Sequence, residues 1–230
     1  KLQSSPIIPC TSQPSPADFE SVYKPLAETG DSIISIHISA QLSGTYQSAV
    51  IAKNELADCD ITVVDSKTGS MAMGIAVIEA ARAAKAGKTK EEILAQLNSN
   101  IDKVKVFFAV DTLEYLQKNG RIGKAAALLG GLLNVKPLLS VKDGIIVPKE
   151  KIRGKEKAKE RLIEIVAEEF GEDVKGKAVI LHGNEPKEAQ KLYEKVKERF
   201  AFSEVIISSI GSVIGTHLGP GVLAIAVLPE

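Results

Sequence analysis

Five short segments set hydroxyl, carboxylate, cationic or imidazole side chains beside proline or glycine. The first is TSQPSPADF, residues 11–19. Ser15 fits a helix N-cap, with Pro16 at the first helical position and Asp18 in the first turn. That accounts for residues 15–19 and leaves Thr11 and Ser12 without a capping role. They are either turn hydroxyls or donors to a ligand head group. The second is SAQLSGTYQSAV, residues 39–50, where a helix opens near Gly44. Its first N–H groups favour an anion, and Ser43 and Thr45 add hydroxyls there. Ser43 as a simple N-cap is the competing reading. The third, VVDSKTGSMAMG, repeats the arrangement with Asp65 and Ser66. In the fourth, QKNGRIG, Arg121 lies between glycines, as a capping charge or as a cation for an anionic group. In the fifth, GSVIGTHLGPG, His217 is either a structural histidine or part of a place where backbone closely approaches a ligand.

The elements that must hold these residues follow from periodicity. SIISIHIS (32–39) and ITVVDS (61–66) read as strands. GTYQSAVIAKNELA and GSMAMGIAVIEAARAAKAGK read as helices after them. TKEEILAQLNSNIDKV has a Thr N-cap and early acids, and KVFFAV (105–110) reads as the next strand. This β-α-β-α-α-β order predicts parallel pairing with crossover helices. Asp65 and Ser66 would then line a crevice at the carboxyl ends of the strands. From Asp111 the pattern changes. TLEYLQKNGRIGKAAALLGGLLN reads as helix with a glycine interruption. Asp143 and Gly144 between two apolar runs signal a hairpin. Two helix–strand pairs follow, then a Gly/Pro turn and a last strand. The fold expected is α/β in two domains: a parallel-sheet domain over residues 1–111 and an α+β domain with hairpins over 112–230.

Composition narrows the function classes. The 230 residues are 44% hydrophobic, enough for a core, with 29 basic and 29 acidic side chains. Zero formal charge, 4% aromatics and no Trp argue against nucleic acid. Cys10 and Cys59 make no metal spacing and read as reduced thiols, which suits a cytoplasmic protein. No apolar run spans a membrane. There is no P-loop and no GxGxxG after a strand, so neither cofactor nor metal is expected. Ser43, Asp65 and His217 follow the Ser…Asp…His chain order of α/β-hydrolases. The nucleophile elbow needs GxSxG, and here the context is Gln41-Leu42-Ser43-Gly44-Thr45. A serine hydrolase is therefore the secondary reading.

Taken together, TSQPSPADF, LSGTYQSA, VDSKTGSMAMG, TLEYLQKNGRIG, KPLLSVKDGIIVPKEKIRG and IGTHLGPGVLAIAVLP resemble the DegV family of bacterial lipid-binding proteins. They occur in the family's order and cover nearly the whole chain. The resemblance implies binding rather than turnover: one long-chain fatty acid, palmitate-like or oleate-like, enclosed between two domains. It also implies a partner for some members, a fatty acid kinase that phosphorylates the bound carboxylate for phospholipid synthesis. A lipid sensor without a kinase is the alternative, and transient membrane contact is compatible with either. By the same resemblance Thr11 and Ser43 hold the carboxylate, with His217 in the same polar region. Arg121, Ser12, Gly44 and Thr45 belong to the polar or kinase-facing side. Family members carry a further N-terminal strand with a TDS-type turn and further segments before TSQPSP, which this sequence does not include; a molecule lacking them would lose one strand of the first sheet and part of the ligand-site wall.

Physical chemistry fits this reading. A carboxylate only accepts hydrogen bonds, so hydroxyls and helix N–H groups suit it. At about 0.8 kcal/mol per buried CH₂, a sixteen-carbon tail supplies roughly 10 kcal/mol before ordering costs.

Overall fold

The computed structural model describes residues 8–130 and 135–230. Helix α1 (Pro16–Glu28) opens with the expected capping box, the Ser15 hydroxyl and the Asp18 carboxylate each bonding the other's backbone N–H. Strands β1 (Ile33–His37) and β2 (Ile61–Asp65) pair in parallel, Ile33 opposite Ile61 through His37 opposite Asp65. Helix α2 (Thr45–Glu55) makes the crossover. Of the strand-like run at residues 6–10, positions 6 and 7 lie outside the described residues, and Ile8, Pro9 and Cys10 form no regular element.

Helix α3 (Ser70–Lys85) faces two ways. Ala76, Ala80 and Ala83 pack on Val64 and on Ile93 and Leu97 of α4 (Lys90–Lys103). Ala72 and Ile75 pack on a second sheet. A helix clamped on two sides needs small side chains, which explains its alanine content.

That second sheet has six strands in the order β5-β4-β3-β8-β6-β7. They are β3 (Lys105–Ala109), β4 (Val135–Lys142), β5 (Ile145–Arg153), β6 (Gly176–His182), β7 (Glu204–Ser209) and β8 (Leu223–Pro229). One expectation is corrected here. β3 does not extend the parallel β1–β2 pair; it runs antiparallel between β4 and β8. The six-stranded sheet thus draws on both sides of Asp111. Val106, Phe107, Phe108 and Ala109 are all buried. A strand apolar on both faces belongs in the centre of a covered sheet, and only the larger sheet offers that place.

Side chains of its central strands alternate between the two faces. Phe107, Leu138, Ile180 and Ile225 meet helices α6 (Lys155–Phe170) and α7 (Pro186–Arg199). Phe108, Leu139, Leu181 and Ala224 face the opposite way, toward α3. The β4–β5 hairpin turns at Asp143 (φ 52°) and Gly144 (φ 80°), the left-handed pair of a type I′ turn, as its sequence predicts. This turn also ties the two sheets, since the buried Ser39 hydroxyl donates to the Gly144 carbonyl at 2.8 Å. The stretch expected to be helical from Thr112 divides into α5 (Glu114–Lys118) and a 3-10 helix (Gly123–Leu128); its last four residues, 131–134, lie outside the described residues.

Candidate functional site

Between the two sheets lies a cavity of about 410 Å³. Phe108, Leu181 and Ala224 of the large sheet form its apolar floor, while Thr11, Ser12, Ser43, Thr45, Arg121 and His217 supply polar groups. A mostly apolar pocket with a few convergent polar groups is the usual form of a small-molecule site. All five segments singled out in the sequence reach it, the third through Gly69 and Ser70.

Thr11 comes from the extended segment before α1, and His217 from α8 (Ser212–Leu218). Thr11 Oγ1 and His217 Nε2 are 2.8 Å apart. His217 Nδ1 is buried without a hydrogen-bond partner among the described residues. Burial, and then the charge of Arg121, push the His217 pKa below the usual histidine value. An imidazole held neutral carries one N–H donor and one acceptor nitrogen, so the tautomer decides the direction of the Thr11 contact.

Ser43 and Thr45 flank Gly44 at the start of α2. Gly44 itself is the N-cap, so the simple N-cap reading of Ser43 does not hold. The Ser43 hydroxyl lies 2.8 Å from the Thr45 hydroxyl and accepts from the Thr45 amide at 3.3 Å. The Gln13 side chain approaches Gly44 closely: a Cβ there would sit 2.8 Å from its Nε2, the movable end of a flexible side chain. The TSQPS segment therefore lies directly over the α2 N-terminus.

Arg121 is anchored through backbone carbonyls. Its Nε donates to Leu42 at 3.1 Å and Nη1 to Asn119 at 2.9 Å. The Asn119 side chain in turn donates to the Thr216 carbonyl at 3.2 Å, tying this loop to α8. Gly123 has φ 54°, and a Cβ there would lie 2.5 Å from the Ile146 carbonyl oxygen, so the loop is seated against β5.

Asp65 and Ser66 do not line this cavity, contrary to expectation. The Asp65 carboxylate accepts from the Lys67 amide at 2.8 Å and the Ala40 amide at 3.3 Å. The buried Ser66 hydroxyl donates to the Thr68 carbonyl. Both residues brace the turns. The Ser43–Asp65–His217 arrangement of a hydrolase is therefore not assembled: His217 bonds Thr11, and Asp65 bonds backbone. Sequence reasoning missed Ser70, Gln13, Asn119 and Ile214. Ser70 and Ile214 line the cavity, and Ser70 has φ 54°, a strained conformation for a non-glycine residue. No periodicity signal marks such positions. Among the described residues no group of three or more His, Cys, Asp or Glu side chains is placed to hold a metal ion, and no helix is long and apolar enough to cross a membrane.

A family model described as "Uncharacterised protein, DegV family" matches residues 1–230. The chain belongs to the DegV family. Protein DegV of Bacillus subtilis is 37% identical over 219 residues, covering 95% of this chain and 78% of that protein. A Thermus thermophilus DegV family protein described for fatty acid binding superposes with a TM-score of 0.93 at 35% identity, covering 100% of this chain and 82% of the other. A DegV lipid-binding protein of Thermotoga maritima gives 0.91 at 31% identity, covering 100% and 80%. The mixed α/β architecture described above is thus that of DegV structures.

Proposed function

We propose that the cavity binds one long-chain fatty acid, with Thr11 and Ser43 donating to its carboxylate and the tail lying on the large sheet. The observation that carries this reading is the pairing of the Thr11 hydroxyl with His217 and of the Ser43 hydroxyl with Thr45 at the polar end of the cavity. If His217 Nε2–H donates to Thr11 Oγ1, the Thr11 proton is available to an acceptor. If the Thr45 hydroxyl donates to Ser43 Oγ, the Ser43 proton is likewise available. Two donors beside a helix N-terminus suit an acceptor-only anion. The apolar remainder of the cavity suits a hydrocarbon tail. The volume lies in the ~300–1,000 Å³ range of small-molecule pockets.

The reading extends to presentation of the bound carboxylate to a fatty acid kinase. Arg121 is exposed at the cavity margin, and among the described residues its Nε and Nη1 are the donors used by backbone carbonyls. Its remaining donors suit a developing phosphoryl charge or an acidic partner surface. The chain itself then acts as a carrier, not a catalyst. The test is formation of acyl phosphate from palmitate or oleate, ATP and a bacterial fatty acid kinase, with and without this protein. Product only when the protein is present supports the carrier role. Fatty acid binding without product would leave a lipid sensor.

A further inference from the structure

A second cavity, of about 610 Å³, lies at the end of the sheet where β3 begins and β4 turns into β5. Its lining is mixed: Lys105, Lys142, Asp143 and Glu169 stand among Val104, Phe107 and Val147. Val106 and Val141 line both this cleft and the apolar cavity. They are the partition between the two. Phe107 pairs with Ser140 across the strands, so Val106 and Val141 are the next facing positions. The buried Ser140 hydroxyl donates to the Val106 carbonyl at 2.8 Å and fixes the two strands at this point.

The partition lies on the side of the sheet away from α8. Phe108, Ala224 and Leu181 form one row across β3, β8 and β6. α8 sits off the end where His182 pairs with Leu223, next to that row. Val106 belongs to the following row, opposite Ala226, about 7 Å farther along at ~3.4 Å per residue. A tail whose head lies at His217 and Thr11 runs toward Val106.

We propose that Val106 and Val141 form the end wall that sets the longest acyl chain the cavity accepts. This rests on the fatty acid reading above. Beyond the wall an apolar chain would meet lysine and carboxylate side chains as well as apolar ones, so only the space freed within the wall itself offers full apolar burial. Within it, each added CH₂ tightens binding about fourfold.

The test measures displacement of a fluorescent fatty acid by saturated acids of about twelve to twenty-two carbons, each CH₂ scaled as above. It uses the wild-type protein, V106A, V141A and V141L, with thermal unfolding confirming that each variant folds. Affinity of the wild type should rise with length and then stop. V106A and V141A should move that stop to longer chains, with about a fourfold gain per CH₂ newly buried. V141L should move it to shorter chains. Should V106A fail to fold, the two Val141 variants carry the test in opposite directions. An unchanged stop in V141A and V141L, with palmitate still bound, overturns the end wall alone. A wild type that binds no chain of any length overturns the fatty acid reading and the wall with it.

Discussion

Thr11 and His217 are 206 positions apart in the chain and 2.8 Å apart in space. The contact joins the segment before α1 to the short helix before β8, and so joins the two sheets across the cavity. In the neutral Nε2–H tautomer the imidazole orients the hydroxyl and leaves its proton for a ligand oxygen.

Thr11→Val and Ser43→Ala each remove one donor and keep approximate size. A hydrogen bond to a charged group contributes about 1.5–3 kcal/mol, against roughly 10 kcal/mol for a sixteen-carbon tail. Each variant should weaken palmitate binding by about one to two orders of magnitude without abolishing it. Fluorescence displacement checks this. Wild-type affinity in both variants would return TSQPS to the status of a loop.

Arg121→Ala should reduce kinase-dependent acyl phosphate formation more than fatty acid affinity. The guanidinium also holds the Leu42 and Asn119 carbonyls, so a small drop in thermal stability should accompany the change. Parallel measurement of affinity and product formation decides the matter. Equal losses in both would make Arg121 a direct head-group ligand or a structural brace.

Acid should weaken the fold in two separate windows. His217 and His37 are both held below the ordinary histidine value of 6.5, chiefly by burial. The unfolded chain therefore takes up protons first, and stability is lost as pH falls through about 6.5 toward the lower folded values. Carboxylates such as Glu188, held at about 2 by Lys159 and Lys191, act only at lower pH. Urea unfolding from about pH 7.5 to about pH 5 should show the histidine loss, and His217→Gln should flatten it. An identical slope in that variant would remove His217 from the account.

Two glycine substitutions separate backbone conformation from close packing. Gly30 has φ 81° with open space around it, so Gly30→Ala should cost about 1–2 kcal/mol for the left-handed conformation alone. Gly123 has φ 54° and backbone oxygen 2.5 Å from where a Cβ would stand. Gly123→Ala should cost clearly more and should disturb ligand binding through the Arg121 loop. Denaturant unfolding of the pair checks this, and equal costs would contradict the seating of the loop on β5.

Local signals and the parallel β1–β2 crossover were legible, and the long-range pairing of β3 was not. The Ser15 and Thr89 capping boxes and the type I′ turn at Asp143 and Gly144 depend on residues within a few positions of one another. β3 was misplaced because an apolar strand does not state which sheet it enters; β8 and β4, far later in the chain, decide it. Thr11, Ser43, Arg121 and His217 were recognised as polar residues beside special backbone, and the fold brings all four to one cavity. Asp65 had the same local look but spends its carboxylate on neighbouring amides. α8 was hidden by three glycines within nine residues, at 211, 215 and 219.

Native mass spectrometry of the protein tests the central claim most directly. After incubation with palmitate or oleate, and after purification without added lipid, the account predicts one long-chain fatty acid bound per chain. Thr11→Val and Ser43→Ala should release it at lower collision energy. Lipid-free protein alone, with either acid in excess, would contradict the claim.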